Sequence, residues 1–183
     1  MKKLNAVWGW LAIIALLAHL ATMTYSLATG WYDFVICKAL AYATAITVGG
    51  HVVFALIVVM FLHDGTNIGN YASLNKRTIL QRASGIAILL LLVAHVRSFG
   101  FIVAGEPLDA LAKTFIIVTE VLFFAAICTH LATSFSKSLI TWGLIRRETT
   151  ERRVDLAAEV ICAILCIVPA FALVRFVLFW MAG

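Results

Sequence analysis

Five long apolar runs restrict the fold of this chain more than any other feature. They cover approximately residues 7–29, 36–62, 79–103, 113–135 and 155–180. A helix needs about 20 largely apolar residues to cross the hydrocarbon of a bilayer. Membrane-barrel strands alternate in polarity over about ten residues, so these continuously apolar runs must satisfy their backbone hydrogen bonds as helices. We predict an all-α membrane protein, with one bundle of five transmembrane helices in a single domain over residues 1–183.

Composition leaves little room for anything else. The chain is 63% hydrophobic and 13% charged, whereas a typical soluble domain has about 25% charged residues. Without a soluble fold to present the basic residues, we expect contact with membrane lipid and none with nucleic acid. The first run follows two lysines as a signal peptide would, but it is longer than such a peptide's apolar core and contains His19, which favours a retained helix. The cysteines lie in or beside the predicted helices and favour packing roles over disulfides or metal ligation: Cys37, Cys128, Cys162 and Cys166.

The lysines and arginines predict the orientation in the membrane. With a cytoplasmic N-terminus, four of the 14 fall on the outer side, Lys38, Arg97, Lys113 and Arg175. The rest fall on the cytoplasmic side: Lys2, Lys3, Lys76, Arg77, Arg82, Lys137, Arg146, Arg147, Arg152 and Arg153. Cytoplasmic loops are enriched in these residues, so we expect the N-terminus inside and the C-terminus outside, in a bacterial inner (plasma) membrane. The polar, turn-rich segments 63–78 and 145–153 would then offer the largest cytoplasmic surfaces to a soluble partner.

Each of the first four predicted helices carries one histidine within its apolar span: His19, His51, His95 and His130. Ionisable residues inside a membrane are costly and usually functional. At about 1.5 Å per residue from the predicted cytoplasmic edges, His19 and His95 lie roughly 18 and 24 Å deep, and His51 and His130 roughly 16 and 9 Å. These depths favour a His19–His95 pair nearer the outer face and a His51–His130 pair nearer the inner face.

Paired imidazoles at one depth indicate haem iron. Imidazole is the commonest protein metal ligand, haem iron accepts axial histidine, and helix bundles build cofactor sites from facing side chains. Two ligands per level are too few for zinc, and no Cys-x-x-Cys-His motif for covalent haem attachment occurs. We predict two b-type haems with two histidine ligands each, an arrangement that suits electron transfer because it leaves no coordination position open.

Two segments extend this interpretation to a family. QRASGIAILLLLVAHV, residues 81–96, resembles the third helix of the dihaem, five-helix anchors (cytochrome b subunits) of succinate dehydrogenases and fumarate reductases, in which Gln-Arg-x-Ser/Thr-Gly precedes a haem-ligating histidine. HLATSFSKSLITWGL, residues 130–144, resembles the fourth helix of that family. The sequence departs from the family where no glycine closely follows His130, and where Asp33 stands in place of a glutamate that some members use for quinol. Gly49 and Gly50 would let a flat macrocycle approach the second helix.

The resemblance implies a respiratory complex that also serves the tricarboxylic acid cycle. A flavoprotein subunit with covalently attached FAD would interconvert succinate and fumarate, an iron-sulfur subunit would relay electrons, and this chain would pass them to a quinone, menaquinone by expectation. No dicarboxylate active site is expected on this chain, and segments 63–78 and 145–153 would dock the iron-sulfur subunit. The alternatives are a cytochrome b anchor of a hydrogenase or formate dehydrogenase, and a haem-free transporter or structural anchor whose histidines bind substrate or protons.

Polar residues near the two predicted haem levels are candidates to hold the haem propionates, which need cationic or hydroxyl partners away from bulk water. At the inner level the candidates are Arg82 and Ser84, with Lys137 as a second cation. At the outer level the candidate is Arg97. The alternative for Arg82 and Arg97 is anchoring at the membrane interface.

Three further residues are candidates for quinone binding or proton transfer. Glu120 either moves protons during quinone chemistry or pairs with one of the outer cations, Arg97, Lys113 or Arg175. Asp33 is a proton acceptor at a quinol site or a loop residue. Arg175, the only charge in the outer half of the fifth helix, would serve haem or quinone.

Overall fold

The computed structural model describes residues 1–61, 75–105 and 108–179. Its helices are α1 (Lys2–Thr29), α2 (Phe34–Phe61), α3 (Lys76–Ala104), α4 (Ala110–Thr141) and α5 (Glu148–Phe179). All five are long and apolar enough to cross a membrane, and the described part of the chain contains no strand. The predicted all-α, five-helix, multi-pass architecture is therefore confirmed. Residues 63–74 of the predicted docking segment 63–78 lie outside the described residues.

The helices extend beyond the apolar runs that predicted them. α1 begins at Lys2 and α4 ends at Thr141, whereas the runs placed these ends near residues 7 and 135. Segment 145–153, expected to be a turn-rich loop, is helical from Glu148 onwards. Glu148 accepts a 2.7 Å hydrogen bond from Arg152, and a carboxylate in a first turn also interacts favourably with the helix dipole. Apolar runs mark the hydrocarbon, and polar residues continue the helices past it.

A four-residue turn, 30–33, joins α1 to α2. Gly30 adopts a left-handed conformation with φ of 75°, and its N–H donates to the Ser26 carbonyl at 2.8 Å, which ends α1 as helix-terminal glycines commonly do. Asp33 begins α2, because its Oδ1 accepts a 2.9 Å hydrogen bond from the Ile36 N–H. The turn makes α1 and α2 an antiparallel hairpin.

The bundle consists of two hairpins and a fifth helix that joins them. α1 packs on α2, α3 packs on α4, and α5 packs on both α1 and α4, while α1 meets α4 over a short stretch. Among the described residues, no Cα pair within 8 Å joins α1 with α3, α2 with α3, or α2 with α4. Closely packed helices have axes about 8–10 Å apart, so these three pairs of helices are more widely spaced than packed neighbours, and we call the space between the hairpins along them the gap. We call the end at which α1, α3 and α5 begin the inner end, and the opposite end the outer end.

Buried apolar side chains join α1, α4 and α5 near the outer end. The buried core cluster consists of Leu27, Ile116, Ala172, Leu173 and Val177. Most other large apolar side chains of the described helices are exposed, as expected for surfaces that contact lipid, where helix association depends on packing rather than on the hydrophobic effect.

Arg77 joins α3, α4 and α5 near the inner end. Its guanidinium forms an ion pair with Asp155 on α5. It also donates to the carbonyls of Thr133 and Ala132 at 3.0 and 3.1 Å, and to the Ser136 hydroxyl at 2.9 Å. From the sequence, Arg77 belonged only to the predicted cytoplasmic charge excess, whereas in the structure it is a polar connection between three helices.

Candidate functional site

The structure brings the four membrane histidines together in the two predicted pairs. The ring centroids of His19 and His95 are 6.5 Å apart with an interplanar angle of 86°. Those of His51 and His130 are 6.3 Å apart, at 74°. Each pair crosses the gap between the hairpins and joins helices whose backbones do not pack on each other.

The observed helix ends separate the two levels more cleanly than the predicted ends did. His51 and His130 stand ten and eleven residues before the inner ends of their helices, which is about 15–17 Å of helix. His19 and His95 stand seventeen and nineteen residues after the inner ends of theirs, or about 26–29 Å. Counted from the apolar runs, His19 and His51 were almost level; counted from the helix ends they are not, because α1 begins five residues before its apolar run.

Backbone carbonyls fix the tautomer of both inner-level histidines. His130 Nδ1 lies 3.0 Å from the Gln81 carbonyl oxygen, and His51 Nδ1 lies 3.3 Å from that of Asn5. A carbonyl oxygen can only accept, so Nδ1 must carry the hydrogen and donate it. Each neutral ring then keeps the lone pair on Nε2, the form that ligates a metal while the other nitrogen is held by the protein.

A glycine lies against each inner-level ring. A Cβ atom built at Gly85 would be 3.4 Å from Nδ1 and from Cε1 of His130, and one built at Gly9 would be 3.4 Å from the same two atoms of His51. These distances are van der Waals contacts, so any side chain larger than a methyl group would meet the imidazole. The absence of a side chain at Gly9 and Gly85 makes the space that the rings occupy.

The two hairpins share a local pattern that the sequence analysis missed. Each pattern begins with the residue whose carbonyl binds an inner-level histidine. The glycine comes four residues later, and the outer-level histidine comes ten residues after the glycine. The residues are Asn5, Gly9 and His19 in α1, and Gln81, Gly85 and His95 in α3. The sequence signal was the equal spacing from glycine to histidine in the first and third apolar runs. It places the two levels about 15 Å apart along both helices.

The outer pair has a different polar environment. His95 Nδ1 lies 2.8 Å from Glu120 Oε2, and Phe123 stacks on the His95 ring with centroids 4.7 Å apart. Glu120 is 3% exposed. Within the described residues, three buried polar atoms at this level have no hydrogen-bond partner, Glu120 Oε1, Ser98 Oγ and His19 Nδ1. Glu120 therefore pairs with a histidine, in place of the outer cations that the sequence suggested.

The inner propionate candidates lie around His130. The buried Ser84 hydroxyl donates to the Leu80 carbonyl at 2.7 Å and lies 3.5 Å from His130 Nδ1. Lys137 donates to Thr78 Oγ1 at 2.9 Å and to Gln81 Oε1 at 2.8 Å. Arg82 is half-buried. Ser84 is thus beside the ligand candidate itself, and Lys137 is bonded to Gln81, whose carbonyl holds His130.

The other predicted site residues are more peripheral. Arg97, two residues beyond His95, and Arg175 on α5 are exposed. Asp33 caps α2. The expectation for Gly50 was wrong, because the indole of Trp8 lies against it, so closely that a Cβ there would overlap the ring. Gly49 faces open space.

The donor set and its spacing fit a bis-histidine haem. With metal–nitrogen bonds of about 2 Å, imidazoles on opposite sides of one metal have ring centroids about 6 Å apart, and imidazoles on a tetrahedral metal about 5 Å apart. The observed 6.5 and 6.3 Å match the first arrangement. No group of three or more histidine, cysteine or acidic residues suited to a metal ion occurs in the described ranges. An iron already held by a macrocycle needs two axial ligands from the protein, and each pair offers two imidazoles.

The chain matches no protein-family model, no curated protein sequence and no solved structure.

Proposed function

We propose that this chain is the dihaem cytochrome b anchor of a complex of the succinate dehydrogenase and fumarate reductase kind. In this role it carries electrons between an iron-sulfur subunit and a membrane quinone, which we take to be menaquinone. The complex lies in a bacterial inner membrane with the inner end of the bundle towards the cytoplasm. Succinate and fumarate are interconverted on the flavoprotein subunit that carries FAD.

The proposal depends on the two histidine pairs that cross the gap, His19 with His95 and His51 with His130. Both centroid separations, 6.5 and 6.3 Å, suit ligands on opposite sides of one iron. The hairpins pack on each other directly only over a short stretch of α1 and α4, so a flat group held between the paired rings would lie between the two hairpins. A single pair would support one redox centre, whereas two levels about 15 Å apart along α1 and α3 support a path across the membrane.

Bound haem would supply one-electron transfer at each level, and the chain's own residues supply ligation and orientation. His51 and His130 present Nε2 because the Asn5 and Gln81 carbonyls hold Nδ1. At the outer level Glu120 holds Nδ1 of His95. Arg82, Lys137 and Arg97 are the cations that would neutralise propionates.

The inner end offers a surface for the iron-sulfur subunit. Four arginines around the start of α5 are exposed: Arg146, Arg147, Arg152 and Arg153. Clustered exposed cations favour a partner with an acidic face, because complementary charge speeds and orients docking. This basic segment lies at the inner end of the bundle, so the inner histidine level would be the nearer of the two to a docked subunit.

Reduced-minus-oxidised absorbance of the purified protein, with a pyridine haemochrome assay for stoichiometry, tests the proposal. We expect a b-type spectrum and two haems per chain. The absence of a b-type signal would contradict the cytochrome and favour a transporter or structural anchor. One haem per chain would contradict the dihaem form, and two haems in a complex that does not couple succinate to quinone would point to a hydrogenase or formate dehydrogenase anchor.

A further inference from the structure

Glu120 is distinctive among the groups that hold the histidines. His51 and His130 donate to neutral backbone carbonyls, and within the described residues His19 Nδ1 has no partner. His95 is the one that meets a carboxyl group, at 2.8 Å. Both levels therefore offer histidine ligands, but the groups that hydrogen-bond to the second nitrogen of those histidines differ between the levels.

Glu120 and Phe123 hold the His95 ring from one face of α4. They lie three residues apart, about one helical turn, so that Oε2 meets Nδ1 while the phenyl ring stacks on the imidazole at an interplanar angle of 26°. The hydrogen bond restrains rotation of the imidazole in its plane, and the stacked ring restrains its tilt. His95 is thus oriented before any ligand binds.

The nitrogen that His95 uses to bind iron decides which partner donates in its hydrogen bond with Glu120. If His95 uses Nε2 for iron, Nδ1 carries the hydrogen and the Glu120 carboxylate accepts it. A carboxylate acceptor withdraws the Nδ1 hydrogen more strongly than a carbonyl does and makes the imidazole a stronger electron donor. Burial strengthens this effect, because the side chain of Glu120 is 3% exposed and its hydrogen bond is poorly screened by water.

Resting on the proposed function, we propose that Glu120 is a positioning residue that lowers the reduction potential of the haem held by His19 and His95. A more basic ligand and a nearby negative charge both favour the ferric iron, which carries one more positive charge than the ferrous iron. The Nδ1 hydrogen stays on His95 in both states, so only an electron is exchanged. No group of this kind acts on the inner level within the described residues.

The test is a potentiometric titration of Glu120→Gln, with both haems followed by absorbance and by electron paramagnetic resonance. The amide keeps the size and the acceptor oxygen but removes the charge. We expect the outer haem to become about tenfold easier to reduce, an upward shift of about 59 mV for one electron, with an altered resonance signal. The inner haem should keep its midpoint. Glu159→Gln, which removes an exposed carboxylate on α5, is the matched control and should leave both midpoints unchanged.

An unchanged outer midpoint in Glu120→Gln with two haems bound would overturn the inference and leave the proposed function intact. Absence of haem from the unmodified chain would instead overturn the proposed function. If Glu120→Gln loses the outer haem, Glu120→Asp decides: recovery of that haem near its original midpoint supports a positioning carboxylate, and continued loss contradicts it.

Discussion

Gly85 lies beside the imidazole of His130, so that a Cβ atom there would be 3.4 Å from Nδ1. A methyl group would make an ordinary contact at this distance, whereas the branches of a valine would displace the ring. We expect Gly85→Ala to retain both haems and Gly85→Val to weaken haem retention at the inner level by about tenfold or more, measured by haem content after washing in detergent.

Gly85→Val should affect the inner haem and not the outer one. Gly85 shares α3 with His95, yet it contacts the histidine of the other level, so Gly85→Val should spare the outer haem. Gly9→Val should have the same inner-level effect through His51. Gly100→Val, at an exposed position of α3 where nothing lies within 4 Å of the added atom, is the control. Loss of the outer haem in Gly85→Val would contradict this view.

Single histidine substitutions should remove one haem each. We expect His95→Ala to lose the outer haem and keep the inner one, and His51→Ala to do the reverse, because under the proposed function each iron would take its ligands from only one of the two pairs. Difference spectra and haemochrome counts for the two variants would measure this. Loss of the same haem in both variants would show that the pairing is wrong.

The Arg77–Asp155 ion pair should contribute to stability. Both side chains are partly buried, 29% and 19% exposed, and Arg77 also satisfies two carbonyls of α4. We expect Asp155→Ala to lower the free energy of unfolding by about 2–3 kcal/mol, since it removes the closest partner of a partly buried charge and leaves Arg77 with Glu151 at 3.9 Å. Denaturant titration in detergent micelles would measure the change.

Arg152→Ala provides the matched comparison for that prediction. It breaks a pair with Glu148 whose side chains are 78% and 75% exposed, and such pairs contribute about 0–1 kcal/mol. Equal losses in Asp155→Ala and Arg152→Ala would mean that the Arg77 network does not stabilise the bundle.

Two substitutions of Asp33 can distinguish a helix-capping role from a proton-accepting role. Asparagine caps helices as well as aspartate, and alanine costs about 1 kcal/mol at such a position. Because Asp33 Oδ1 accepts from the Ile36 N–H, we expect Asp33→Ala to lower stability, and Asp33→Asn to preserve both stability and quinone reduction. Slow quinone turnover in a stable Asp33→Asn complex would favour the proton role.

The helix number and histidine pairing could be predicted from sequence because both depend on position along a helix. An apolar run reports a span, and a fixed rise per residue converts position to depth. The same reasoning misplaced helix ends such as Thr141, because composition reports the edge of the hydrocarbon while hydrogen bonds decide where a helix stops.

Partner choice could not be predicted in the same way. Whether Glu120 meets Arg97 or His95, and whether Arg77 meets Asp155, depends on how each helix is rotated about its axis. That rotation is set by packing between helices distant in sequence. The contact of Trp8 with Gly50 also depends on helix rotation and could not be predicted from the sequence for the same reason.

The distribution of the histidines over the hairpins also bears on biogenesis. His19 and His51 belong to one hairpin, His95 and His130 to the other, and each pair takes one member from each. Neither hairpin can complete a site alone, so a nascent chain has no finished cofactor site until its fourth helix has entered the bilayer. Under the proposed function, cofactor loading would follow insertion, and each bound haem would act as a cross-link between two halves that otherwise share few contacts.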